Sequence, residues 1–223
     1  MGRKSISHIR KPEILHHTYK VVEDEGFMGM TIGKVATRMG VNSGLLIHYF
    51  KSKEGLIMEM VDYLFKISMK SYHAELENHT APKDRFQCLM RILFTTSGKG
   101  PQRDAVFWSC YAMGFRNADI RDRIQAMQKK FIAFGIREIT AWEKAGLVQV
   151  PDKEKAAATI LALSEGFGIL RNSLKHLDSL EEIARTMRQS ALDALGAGPV
   201  DLDNGCHVSE PEAIRSAKTA SGE

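Results

Sequence analysis

Thr31-Ile32-Gly33-Lys34-Val35-Ala36-Thr37-Arg38-Met39-Gly40-Val41-Asn42-Ser43-Gly44-Leu45-Leu46-Ile47-His48-Tyr49-Phe50 reads as two short amphipathic helices joined through one glycine. Thr31 is an N-cap residue, and Ile32, Val35, Ala36 and Met39 recur on one side of the helix it starts. Gly40 can take the positive φ that stops a helix. Asn42 or Ser43 caps the second helix, in which Leu46 and Phe50 stand four apart on one face. Ala36 is small where the helices would cross, and Val41, Leu46 and Phe50 fill the wedge between them. The other face of the second helix carries Ser43, Gly44, Leu45 and His48, short or polar side chains that can reach base edges in a major groove. This is the pattern of a helix-turn-helix. A glycine-linked helix pair inside an ordinary bundle shares it, and the spacing by itself leaves both readings open.

Working outward, the periodicity stays helical. Upstream, Ile14, Leu15, Thr18, Val21 and Val22 predict a helix from about Pro12 to Glu25, ended by Gly26. Downstream, Ser52 caps a long helix from Lys53 into the seventies, with Leu56, Met60, Leu64 and Ile67 inward. Beyond it, Phe86, Leu89, Met90 and Leu93 mark one helix, and Val106, Phe107, Cys110, Met113 and Gly114 another. A long helix starts at Asp119 and stops at Gly146. Pro151 opens the next, and Ser179 caps the last. Pro12, Pro82, Pro101 and Pro151 all stand where such patterns begin. The expected fold is all-α, with about nine helices: a three-helix head over 1–55, a helical bundle over 56–197 and a mobile tail over 198–223 with little apolar periodicity.

Composition narrows the function. With 43% apolar and 26% charged residues the chain is of ordinary globular type. No run approaches the ~18 apolar residues a membrane span requires, and the basic start has no apolar stretch after it, so no secretory signal is expected. Three widely spaced cysteines (Cys88, Cys110 and Cys206) form no disulfide framework and fit a reducing cytoplasm. The whole formal charge of +4 sits in residues 1–55, where nine Lys/Arg meet five acids; the remainder is neutral. A basic end suits a polyanion, nucleic acid first, although chance asymmetry on a soluble surface gives the same count. Catalysis has no sequence support: there is no Gly-x-Ser-x-Gly, no dinucleotide glycine fingerprint and no His-Glu-x-x-His. His16 and His17 are adjacent, so a helix would turn them to different faces, and no metal or cofactor is expected.

The run from Thr31 to Leu56, above all Gly40-Val41-Asn42-Ser43-Gly44 followed by His48-Tyr49-Phe50-Lys51-Ser52-Lys53, closely resembles the DNA-binding segment of the TetR family of bacterial repressors, nearest its choline- or betaine-responsive branch. The resemblance is sharp over about residues 10–60 and diffuse beyond. It implies that Ser43, Gly44 and Leu45 approach bases, that Thr31, His48 and Tyr49 position the DNA backbone, and that Lys53 binds a phosphate at a helix start. Lys34 and Asn42 complete the expected DNA-binding set. The sequence departs from the family pattern twice. Ile47 stands where Tyr is common, which implies one phosphate contact fewer; Leu45 stands where Thr is common, which favours a thymine methyl over a hydrogen bond.

Two expectations concern the rest of the chain. The helix after Asp152 is apolar nearly all round, and Ile160, Leu163, Phe167, Leu170 and Leu174, with Ile183 and Met187 of the last helix, are the expected interface of a homodimer. Phe107, Trp108, Tyr111, Phe115, Met127, Phe131 and Phe134 could line a pocket for a small, largely apolar effector, or simply fill a core. The expected protein is thus a cytoplasmic bacterial repressor that binds a near-palindromic double-stranded operator as a homodimer and leaves it when the effector binds. The rival is a non-catalytic all-α adaptor whose basic end meets a protein or an anionic surface.

Overall fold

The computed structural model describes residues 7–96, 105–173 and 179–198. Among these the chain is all-α, as expected, with nine helices: α1 (Ser7–Gly29), α2 (Ile32–Met39), α3 (Ser43–Phe50), α4 (Lys53–Glu77), α5 (Pro82–Leu93), α6 (Ala105–Gly114), α7 (Ala118–Lys144), α8 (Lys153–Ser173) and α9 (Leu180–Ala194). They fall into two compact units. The first runs up to Lys66 and takes in 105–125; the second takes the rest. A head ending at residue 55 is therefore extended in space by part of α4, by α6 and by the first turns of α7.

In the first unit, α1, α2 and α3 pack on one another and α6 packs on α1. Ile14, Val35, Leu46, Leu56 and Met60 are fully buried. Thr18, equally buried, satisfies its hydroxyl by donating to the Ile14 carbonyl at 2.7 Å. α1 corrects the expectation at its start. It begins at Ser7, so Pro12 lies inside the helix, not at its opening. Proline's fixed φ suits a helix, and its missing N–H costs one bond in the second turn. At the other end Gly26 does break the helix, with φ 71° and ψ 170°, and one more turn closes through Met30 N–H to the Gly26 carbonyl at 3.1 Å. Asn117, which the sequence reading passed over, caps α7 by accepting from Ile120 N–H at 3.0 Å.

The second unit has its own core. Phe86, Phe94, Trp142 and Phe167 are fully buried, with the Phe86 and Trp142 rings 4.7 Å apart. Burying each contributes about 1.5–3 kcal/mol or more. Arg85 of α5 donates to both carboxylate oxygens of Glu138 of α7, through Nε at 3.1 Å and Nη2 at 2.5 Å. α7 stops where Gly146 takes φ 71°. Asp152, not Pro151, starts α8: its carboxylate accepts from Lys155 N–H at 3.0 Å. Ser179 stands at the N-cap of α9 but makes no side-chain cap bond; only its carbonyl engages, accepting from Ile183 N–H at 2.9 Å. α8 packs on α9. Gly196, with φ 56°, ends that pair where any Cβ would lie 2.6 Å from the Gln149 carbonyl oxygen. Leu174, Pro101 and the tail from residue 199 lie outside the described residues.

Candidate nucleic-acid interface

The head is built by its caps. Thr31 is extended, with φ −131° and ψ 156°, and its Oγ1 accepts from Lys34 N–H at 3.1 Å. α2 ends on Gly40 at φ 65° and ψ 30°, where Gly40 N–H meets the Thr37 carbonyl at 3.0 Å and Val41 N–H meets the Ala36 carbonyl at 3.0 Å. A residue with a Cβ would be strained at that φ. Asn42, rather than Ser43, caps α3 by accepting from Gly44 N–H at 2.7 Å. These three devices fix the turn within a few residues and so fix the direction of α3.

α3 then divides cleanly. Leu46 and Phe50 are buried, while Gly44, Ile47 and His48 are exposed, and Ser43, Leu45 and Tyr49 are half-buried. The His48 and Tyr49 rings meet edge-on at 5.4 Å. Ile47 is 48% exposed, and its spacing of three from Gly44 puts it on the same outward face.

Lys53 opens α4 from a tight turn. Ser52 N–H reaches back to the Phe50 carbonyl at 2.8 Å, Lys51 takes φ 70°, and Ser52 Oγ accepts from Gly55 N–H at 3.1 Å. Gly55 is needed there, because a Cβ would lie 2.1 Å from the Phe50 carbonyl oxygen. The Glu54 carboxyl is held below the ordinary carboxylate range by its own backbone N–H and by Ser52. Lys53 Nζ, half-buried, donates to the Phe27 carbonyl at 3.4 Å. The two bases of α2 are engaged by α1. Arg38 donates to Asp24 at 2.7 Å, and Lys34 donates to the Gly29 carbonyl at 3.0 Å and to the Glu25 carboxylate.

The second unit holds a partly enclosed cavity of about 50 Å³. Phe131 and Phe134 of the expected pocket set line it, together with Tyr72, Trp142, Met90 and Gly135. Phe107, Trp108 and Tyr111 instead form a ring cluster on α6 in the first unit, with centroids 5.1–5.4 Å apart. Phe115 is 86% exposed, and Met127 is buried outside the cavity wall. Helical spacing had gathered residues that the fold distributes over two units.

Residues 14–60 match the family described as bacterial regulatory proteins, tetR family. The match is to that family's DNA-binding segment. The matched segment covers α2, α3 and the start of α4, the elements that build the outward face described above. The HTH-type transcriptional regulator BetI of Rhizobium meliloti is 24% identical over 178 residues, covering 78% of this chain and 83% of that one. The nucleoid occlusion factor SlmA of Vibrio cholerae is 25% identical over 181 residues, covering 79% and 90%. A solved transcriptional regulator from Saccharomonospora viridis in complex with choline shares the fold at a TM-score of 0.71 and 17% identity, over 86% of this chain and all of the other. The chain is a DNA-binding transcriptional regulator. The adaptor reading is not favoured. The BetI relatives are transcriptional regulators; among the described residues no His, Cys, Asp and Glu group could hold a metal, and no helix is long and apolar enough to cross a membrane.

The expected dimer set also separates by burial. Phe167 is fully buried against Phe94, with centroids 6.2 Å apart, and Ile160 lines the cavity, so both serve the interior of the second unit. Leu163, Leu170, Ile183 and Met187 are half-buried, and Ile169, on the same apolar helix, is 49% exposed.

Proposed function

We propose that this TetR-family regulator is a homodimeric repressor, acting in the bacterial cytoplasm, that holds a palindromic operator through two copies of α3 and releases it when a small, largely apolar ligand enters the cavity of the second unit. The observation that carries the reading is the capped α2–Gly40–α3 turn, which buries Leu46 and Phe50 and leaves Gly44, Ile47 and His48 outward. In this reading Ser43, Gly44 and Leu45 approach bases. Thr31, Lys34, Asn42, His48 and Tyr49 position the duplex, and Lys53 binds a phosphate. A two-fold dimer requires half-sites one helical turn apart or a multiple of it. Residues 1–55 act as the reading head and 56–197 as the sensing and dimerising body. α4 and α7 run through both compact units and so provide the covalent route between ligand and DNA. A coupling of about 1–3 kcal/mol would weaken the operator roughly 5–150-fold, and bound operator must weaken the ligand equally.

Selection of bound duplexes from a random library, followed by titration at several salt concentrations, tests the reading. A two-fold symmetric site with steep salt dependence is expected. Selection of no sequence, or of an asymmetric one, would overturn it.

A further inference from the structure

The cavity of the second unit carries no fixed charge. Among the described residues that line it there is neither a carboxylate nor a cation, and its polar groups are the hydroxyls of Tyr72 and Ser164 and the indole of Trp142. Ser164 already donates to the Leu161 carbonyl at 2.9 Å. Trp142 is 1% exposed, and its Nε1 has no hydrogen-bond partner. A buried indole N–H ordinarily finds an acceptor, and leaving it unmet is costly. Glu138, the buried acid of α7, is taken up by Arg85 and stands outside the wall.

The aromatic residues do not make a cage for a cation. Tyr72 meets Phe131 edge-on at 6.2 Å and stacks on Phe134 at 6.4 Å, so their faces are engaged with one another. The Arg137 guanidinium stands 5.7 Å from the Phe134 ring centre. A second cation there would share that ring with a charge of its own sign.

We infer that the effector is an uncharged molecule with an apolar body and one hydrogen-bond acceptor, such as a ketone or ester oxygen, to which Trp142 Nε1–H donates, and that it is not a quaternary ammonium. This rests on the proposed sensing role of the cavity and specifies the ligand's chemistry. The cavity, at about 50 Å³, is smaller than the roughly 150 Å³ that holds a benzene ring, so such a ligand parts the wall as it enters. Met90 supplies flexible wall. At the tight joint, a Cβ on Gly135 of α7 would lie 3.1 Å from the Ala157 Cβ of α8.

The chain has two tryptophans, so the full-length protein labelled with ¹⁵N gives two indole N–H signals, and Trp108→Phe identifies the one from Trp142. Cyclohexanone, its acceptor-free isostere methylenecyclohexane, and choline are the probes. Cyclohexanone is expected to move the Trp142 signal downfield saturably, methylenecyclohexane to bind without that shift, and choline to leave it unchanged. Trp142→Phe should weaken cyclohexanone about tenfold and methylenecyclohexane hardly at all. The inference is overturned if choline saturates the Trp142 signal, if cyclohexanone binds without moving it, or if neither neutral probe reaches it. Operator release is scored separately. A probe that shifts Trp142 and leaves DNA bound would refute the release reading and leave the ligand chemistry standing.

Discussion

Arg38 of α2 donates through Nη1 to Asp24 of α1 at 2.7 Å, and close by Lys34 is held by Glu25. The acidic end of α1 thus occupies two bases of the reading head before any phosphate arrives. Both pairs are substantially exposed, so each is worth well under about 1 kcal/mol of stability. Replacing Asp24 by Asn and Glu25 by Gln together should leave folding nearly unchanged. It should raise affinity for every duplex at low salt and steepen the salt slope by up to roughly one per freed cation in each subunit. Fluorescence anisotropy across a salt series checks this; an unchanged slope would show that the bases face away from DNA.

Positioning and reading should separate on neighbouring side chains. If Lys53 binds a phosphate as proposed, Lys53→Ala should weaken all sequences about equally and lower the salt slope by roughly one per subunit. Leu45→Thr exchanges an apolar group on α3 for a hydroxyl-bearing one and should change which base pair is preferred, by about 1–3 kcal/mol at one position of each half-site. Competition between selected duplexes measures both. A change of preference from Lys53→Ala, with none from Leu45→Thr, would reverse these roles.

The head should also be acid-sensitive through α1. Burial holds His16 below its ordinary pKa, with His17, Lys20 and Arg38 adding in the same direction and Glu23 opposing. His17 is lowered first by burial, then by Arg38, against Glu13. A histidine with a depressed folded pKa takes up its proton more readily when unfolded. Its contribution to stability is therefore complete above the ordinary value near 6.5 and is lost as pH falls below it. Thermal unfolding from pH 7.5 to 5.5 should show the midpoint falling, and His16→Gln should flatten that fall. An equal fall in the variant would place the sensitive group elsewhere.

What could be read in advance followed the range of the interaction. The cap at Thr31, the stops at Gly26, Gly40 and Gly146, and the inward Leu46 and Phe50 all depend on residues within a turn or two, and each is legible; the cap of α3 is legible only to Asn42 or Ser43. The start of α1 was not, because proline is also tolerated near the beginning of a helix already under way. Neither was the cavity. Phe107 and Phe131 share helical spacing and aromatic character, yet one packs with Trp108 and Tyr111 on α6 and the other faces Tyr72 of α4. Only tertiary packing decides between them, and the sequence pattern carries no record of which helix lies opposite.

The same limit applies to α8, and it sharpens the last prediction. From sequence Phe167 and Leu170 look alike, three residues apart on an apolar helix. In the fold Phe167 has no exposed surface, while Leu170 is half-buried beside the 49% exposed Ile169. Truncating Phe167 to Ala should therefore open a cavity inside one subunit and cost about 3–5 kcal/mol of folding stability. Leu170→Glu leaves that interior intact. In a homodimer that covers this face, it would bury an unpaired carboxylate and split the assembly. Sedimentation should show wild type as a dimer at micromolar concentration and the Leu170 variant as a folded monomer with much weaker operator binding. A monomeric wild type, or a Leu170→Glu protein that stays dimeric, would remove α8 from the interface.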